Sequence, residues 1–589
     1  MKKCIVGKYN NNRIVIWSTI AMVSLTIIWL MNAVIDTPIM DEWKFLSSDV
    51  NKMFEGTMSF SDFWGTGIHR AFLASILTYI NVKYLSYNTL LFTYTGVIFM
   101  FISAFVIYKV YKRSVTDSPN NIKKQILFLP VILTLFCFNQ WEILTMQTSL
   151  TFMLRICVYL LIFSILDKWL INNTKSKYLF EFILFVCVSI VGVSQAYWPA
   201  MCGVIIISIL FSSFINRKSA ARKDYKRLLI IILGIILFIG LYIVISMRGF
   251  VQNSEFDSIE KKSLFSLIFS PTLVKGVLLM LGATLRPNYD KYIFNNNIND
   301  YILIGLVVLI LLLAALFIYF KGKMYKKTLF PLMMISYGLI SILFIFCGRV
   351  QRFGVDYLIS SRYTCETILI IAGVVMIFAI KLNNIVFKNK YLKTTLCYVL
   401  ILIPTVCVIY SNRSELRVAK FRREYRVNIL NTMLNIEDAS DEELSTFQVA
   451  SPDVARNAVS NMKKYKLGVF KYTANNEPGT NFTNAKGIKG IYADKWATNS
   501  ASFKIKTGKE GALYIKGLYP KSITGNETLD ISINGKKVNT TKIEDNVFEI
   551  IIPTDSNAVI KVDIKSSFSY VNEPDVREIS FLIQDIYAK

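Results

Sequence analysis

The sequence predicts a polytopic α-helical membrane domain of about 11 transmembrane helices, followed by an extracytoplasmic C-terminal β-sandwich. Three observations predict it. Apolar runs long enough for a bilayer core of about 30 Å recur from the N-terminus to residue 410 and then stop. Lys and Arg crowd every second loop between those runs. Beyond residue 485 the pattern changes to short alternating runs separated by turn residues. The 589 residues are 53% hydrophobic and the mean hydropathy is +0.45, which places the chain outside the usual range of soluble domains.

The formal charge of +26 comes from 66 basic and 40 acidic residues. A soluble chain this basic would point to nucleic acid. Here the basic residues lie in short loops between spans, where orientation requires them, so no nucleic-acid partner is expected. The nine cysteines all precede residue 410. They have no C-x-x-C metal spacing and leave the tail without a disulfide framework.

The N-terminal segment carries Lys2, Lys3, Lys8 and Arg13 and is expected in the cytoplasm. The apolar stretch after it, Ile14 to Val34, is too long for a signal peptide and lacks a small-residue cleavage site. It reads as an uncleaved first span. Further spans follow near 88–108, 126–138, 150–166, 179–195, 198–215, 228–246, 301–320, 329–346, 364–380 and 394–410. The loops holding Lys109 to Lys124, Lys168 to Lys177, Arg217 to Arg227, Lys321 to Lys327 and Lys381 to Lys393 are the basic ones. Their alternation places the C-terminal tail outside the cell membrane. Ala71 to Leu85 reads as a short interfacial piece. Leu264 to Leu285 is apolar but contains Pro271 and Lys275, and its crossing would turn the 321–327 loop outward. It reads as re-entrant or peripheral.

The expected domains are therefore a membrane domain over 1–410, an extracytoplasmic helical connector over 411–480 and a β-sandwich over 481–589. In the connector, SELRVAKFRREYRVNILNTML spaces apolar residues helically among charges. In the sandwich, Asn534-Gly535 between two alternating runs is a hairpin signal.

The residues that suggest chemistry fall in the segments expected outside. The first loop reads VIDTPIMDEWKFL and then DFWGTGIHRAF. Asp41 and Glu42 follow the first span closely, and a carboxylate pair at a membrane surface supplies a general base or its orienter. The bland role for them is capping the helix that follows. His69, the only histidine, precedes Arg70. One histidine builds no zinc site without helpers, so no metal centre is expected. A divalent cation on the oxygens of Asp41 and Glu42 stays open, and no cofactor is required.

Other expected outer segments add Glu142 and Gln147, Gln195 and Trp198, Arg286, and then Arg349, Arg352, Arg362 and Tyr363. Arginine suits phosphate because its fork is bidentate and always charged. Carboxylates, amides and rings suit sugar hydroxyls and faces. Interfacial anchoring accounts for the Trp and Tyr but poorly for Glu142, Gln147 and Gln195. The chain has no P-loop and no G-x-S-x-G elbow, which argues against an ATP-driven pump and an α/β-hydrolase. Few charges lie inside spans, Arg155 being one.

The order of MDEWKFL, GIHR, NQWEILTMQ, YWP, SSRY and VREISFLIQDI resembles a group of bacterial GT-C-like membrane proteins associated with surface polysaccharides. The resemblance spans nearly the whole chain. It implies a glycosyltransferase using a polyprenyl-phosphate-linked sugar, with Asp41 as base toward the acceptor hydroxyl and Glu42 second. It implies substrate-binding roles for His69 and Arg70, although Gly67-Ile68 stands where the group has Asn-Glu. The implied partners are the lipid-linked sugar, membrane lipid and a cell-envelope glycan or teichoic-acid acceptor. The C-terminal domain resembles carbohydrate-binding modules. Rival expectations are a polymerase or ligase using a polyprenyl-diphosphate oligosaccharide, a lipid-linked-sugar flippase, and a non-enzymatic glycan sensor.

Overall fold

The computed structural model describes residues 12–64, 72–115, 121–172, 177–190, 197–215, 233–236, 240, 266–267, 269–287, 297–383, 391–449, 451–471, 480–482, 485–492, 494–519, 528–542, 546–571 and 577–589. Among them, nine helices are long and apolar enough to cross a membrane, as a multi-pass membrane protein requires. They are Arg13–Ala33, Thr89–Ser114, Asn121–Thr145, Ser149–Ile171, Trp198–Ile215, Ile298–Lys321, Phe330–Phe353, Ser361–Asn383 and Cys397–Leu434. Each matches a run expected from the sequence. Of the expected 179–195 run, Lys177–Val188 forms a helix and residues 191–195 lie outside the described residues. The expected 228–246 run lies largely outside the described residues.

The chain forms two compact units: Met1–Asn32 with Met58–Asn81 and Thr89–Ala419, and Ala33–Thr57 with Val82–Asn88 and Lys420–Lys589. In the first unit, Thr364–Asn383 is buried on nearly every side and forms the axis of the helical core. Arg13–Ala33 is the opposite case. Trp17, Ile28 and Met31 are exposed, while Trp29 and Leu30 face inward. Trp29 stacks on Phe138 at 4.7 Å, and its Nε1 donates to the Glu415 carbonyl at 3.3 Å. An apolar outer face and a packed inner face are what a span at the edge of a bundle needs.

The apolar segment before Arg286 forms a helix, Pro271–Leu285. Its 15 residues rise about 22 Å, less than a bilayer core of about 30 Å. Pro271 opens the helix, where its missing N–H costs nothing. The next helix, Ile298–Lys321, packs on it backbone to backbone. A Cβ at Gly282 would lie 1.9 Å from the Tyr301 carbonyl oxygen, and one at Gly305 would lie 1.9 Å from that of Leu278.

In the second unit, Glu42–Glu55 packs on Pro452–Lys464. Trp43 stacks on Phe447 at 4.7 Å and Phe54 on Tyr465 at 4.2 Å. Asn461 Nδ2 donates to the carbonyls of Leu46 and Ser47, at 2.9 and 3.1 Å. Parts of the first loop thus fold with the polar tail, whose residues 411–464 are largely helical as expected.

The C-terminal domain is all-β. Strands β1 (Lys486–Ile491), β2 (Trp496–Lys506), β3 (Ala512–Leu518), β4 (Thr528–Ile533), β5 (Lys536–Lys542), β6 (Val547–Pro553), β7 (Val559–Ser566) and β10 (Phe581–Ala588) pair antiparallel in one sheet, while β8 (Tyr570–Val571) and β9 (Glu578–Ile579) pair with each other. The order is β5-β4-β7-β2-β10-β3-β6, with β1 on β2. The end strands β5 and β6 approach each other, so the sheet is barrel-like. Alternate residues such as Phe503, Ile515, Ile531, Ile550, Val562 and Ile583 fill its core. Asn534 and Gly535 both adopt positive φ and join β4 to β5 with Ile533 opposite Lys536. This is the geometry a two-residue hairpin demands.

Candidate functional site

The predicted residues fall in two places, one in each unit. In the second unit the chain turns through Met40, at φ 53°, into the Glu42–Glu55 helix. Asp41 holds the N-cap position, yet its side chain makes no capping hydrogen bond and is exposed. Glu42 is buried. Its Oε2 accepts from the Ile39 N–H at 3.2 Å and from the Tyr87 hydroxyl at 3.1 Å. The carboxylate also stands in the first turn of a helix, where the dipole favours negative charge. Tyr87 is itself fully buried, and burial pushes its phenol well above the usual tyrosine range, with Glu42 adding to the shift. It therefore acts on Glu42 as a neutral donor.

Buried Arg426 donates to the Thr37 carbonyl at 3.3 Å, and Glu42 is the carboxylate whose charge acts on it most. Neither Tyr87 nor Arg426 was singled out from sequence. Asp41 and Glu42, adjacent in sequence, differ sharply in surroundings. His69 and Arg70 lie outside the described residues.

In the first unit, the NQWEILTMQ and SSRY segments meet. Glu142 is buried and pairs with Arg362 through Oε1. Its Oε2 accepts from Ser360 Oγ at 3.1 Å and from the Arg362 N–H at 3.3 Å. The Ser361 hydroxyl accepts from the Glu142 N–H at 2.9 Å. Gln147 donates to Thr78 Oγ1 at 3.4 Å. Tyr363 is buried, Arg349 is half-buried and Arg352 is exposed. Arg286 pairs with Asp300 at 2.7 Å and lies over the Tyr301 ring. Trp198 is buried in the core, and Gln195 lies outside the described residues.

The first unit also holds a buried ion pair that sequence half-revealed. Arg155 stands out in the sequence as a charge inside a span; its partner Glu366 does not. Glu366 accepts from Arg155 on one oxygen and from the Tyr337 hydroxyl on the other. The Arg155 guanidinium lies over the rings of Phe152 and Tyr197, at 4.5 and 4.4 Å. The available signal was an acidic residue one turn into the apolar run TCETILII. Among the described residues, no group of three or more His, Cys, Asp or Glu is placed to hold a metal ion.

Comparison of the chain with protein-family models and with curated proteins gives no match.

Proposed function

We propose that the protein is a glycosyltransferase of the extracytoplasmic membrane face. It moves a sugar from a polyprenyl-phosphate donor to a cell-envelope glycan or teichoic-acid acceptor, within a GT-C-like arrangement of eleven spans. The N-terminus is cytoplasmic and the C-terminal domain extracytoplasmic, in keeping with the alternation of basic loops. The C-terminal sheet, with its alternating buried residues, is read as a sandwich-type glycan-binding module. Asp41 is the base that takes the acceptor proton. One observation carries this choice: Asp41 is exposed without a capping bond, while neighbouring Glu42 is buried and held by Ile39 and Tyr87. A carboxylate that must accept a proton from a substrate has to be reachable, and the exposure of Asp41 supports that role over Glu42.

The test uses full-length protein in liposomes with a panel of radiolabelled undecaprenyl-phosphate monosaccharides. Asp41→Asn should abolish transfer while its melting temperature stays at the wild-type value. Full activity in that variant sinks the assignment.

A flippase reading draws on the Arg155–Glu366 pair inside the helical bundle. The pair is closed, however, with both Glu366 oxygens occupied. Both carboxylate oxygens are already held within the bundle, so glycosyl transfer is preferred.

A further inference from the structure

We propose that Arg349 and the Tyr363 hydroxyl form the subsite for the phosphate group of a lipid-linked substrate. This deepens the glycosyl-transfer reading and rests on it for the choice of lipid. The four expected outer arginines are not equivalent. Arg362 is neutralised by buried Glu142, and Arg286 by Asp300. Arg349 makes no ion pair among the described residues; its guanidinium lies 6.0 Å over the Phe353 ring. It is a half-buried cation that no described carboxylate pairs.

Two rings away, through Phe353 and Tyr357, is an unsatisfied donor. Tyr363 is 4% exposed, and its hydroxyl is buried with no hydrogen-bond partner among the described residues. Such orphaned groups are rare, because a phenol loses its water on burial and must regain a partner. Arg349 lies over Phe353, Phe353 stacks on Tyr357 and Tyr357 meets Tyr363, so the cation and this hydroxyl belong to one cluster of rings. The missing partner is thus an acceptor that also carries negative charge. Phosphate fits both demands, as it accepts from guanidinium and hydroxyl together.

The surroundings select a lipid phosphate. Arg349 stands in the last turns of Phe330–Phe353, a helix apolar enough to cross a membrane. Rings line the same spot: Phe353 stacks on Tyr357 at 4.6 Å, and Tyr357 meets Tyr363 edge-on at 6.2 Å. Phe353 is about half exposed, so an apolar surface continues from the charge outward. An isoprenoid chain has apolar carbon directly next to its phosphate and matches that sequence of surfaces.

The test is equilibrium binding of radiolabelled undecaprenyl monophosphate to full-length protein in phosphatidylcholine nanodiscs. Arg349→Ala should weaken binding about tenfold or more, and Tyr363→Phe about threefold to tenfold, as loss of a charged and of a neutral contact implies. Lys275→Ala, which removes a nearby exposed cation, should bind as wild type. Tyr363→Phe should also melt no lower than wild type without lipid, since it removes an unsatisfied hydroxyl. Inorganic phosphate should displace the probe only at far higher concentration. Displacement by inorganic phosphate as effective as by the lipid overturns the lipid assignment. Equal displacement by phosphatidylglycerol, or unchanged affinity in both site variants, overturns the subsite. Arg349-dependent binding without any sugar transfer keeps the subsite and removes the transferase reading. Transfer that needs Asp41 but survives Arg349→Ala does the reverse.

Discussion

Arg155 and Glu366, 211 residues apart, form an ion pair that is fully buried on both sides. Tyr337 closes the second oxygen of Glu366, and Cys365 Sγ approaches the first. Taking two charges out of water is costly, and attraction repays it best where the remaining sites are bonded, as both Glu366 oxygens are here. Removing one partner should therefore be worse than removing both. Glu366→Leu is expected to destabilise by about 3–5 kcal/mol, whereas Arg155→Met with Glu366→Leu should recover most of that loss. Thermal unfolding in a neutral detergent distinguishes the two. Equal losses in the single and double variants would show that the charges do not compensate each other.

The contact between Pro271–Leu285 and Ile298–Lys321 depends on two hydrogens. A methyl at Gly282 or Gly305 would overlap a backbone oxygen of the partner helix, which has no rotamer to escape into. Gly282→Ala should cost about 3 kcal/mol or more, beyond ordinary overpacking, because helix axes must separate. Gly348→Ala is the control, since nothing lies within 4 Å of a Cβ there. Its melting temperature should equal or exceed that of wild type.

Hydropathy made the long helices legible because each residue of a span contributes to the same signal. Asn534-Gly535 was legible because the turn it makes is fixed by two adjacent residues. Glu366 and Tyr87 were not, because the first lies 211 residues from Arg155 and the second 45 from Glu42. Only folding brings them together. The strand order β5-β4-β7-β2-β10-β3-β6 was hidden for the same reason, since most neighbours are far apart in sequence. The site was legible as a set of residue types. Which carboxylate is free and which arginine is unpaired depends on partners that no local pattern records.

Tyr87 supplies a pH test of the second unit. Its folded phenol titrates above the unfolded value, so the stability it contributes is present below pH about 10 and is lost as pH rises from there toward the folded value. Within that window its share of stability falls by up to about 1.4 kcal/mol per pH unit. Tyr87→Phe should lower stability at pH 7, where the bond to buried Glu42 is lost, by about 1.5–3 kcal/mol. It should also flatten the alkaline slope. Chemical denaturation at a series of pH values up to 11 measures both. An unchanged slope would mean that Tyr87 ionises no later folded than unfolded.

Asp41 and Glu42 give the sharpest contrast, since adjacent carboxylates are predicted to fail differently. Glu42→Gln replaces an anion held by Tyr87 and Ile39 and acting on buried Arg426. It should destabilise the protein by about 2 kcal/mol or more, because Arg426 then keeps its desolvation cost with less compensation. Asp41→Asn changes an exposed side chain with no capping bond. Its stability should stay within about 0.5 kcal/mol of wild type. Sugar transfer by Asp41→Asn should fall by about 100-fold or more, the scale expected when a general base is lost. Glu42→Gln should retain measurable transfer in whatever fraction stays folded. Thermal melts and single-turnover transfer assays on the same preparations separate folding from chemistry. A reversal, with Glu42→Gln stable and inactive and Asp41→Asn active, would move the base by one residue and make Tyr87 the group that orients it.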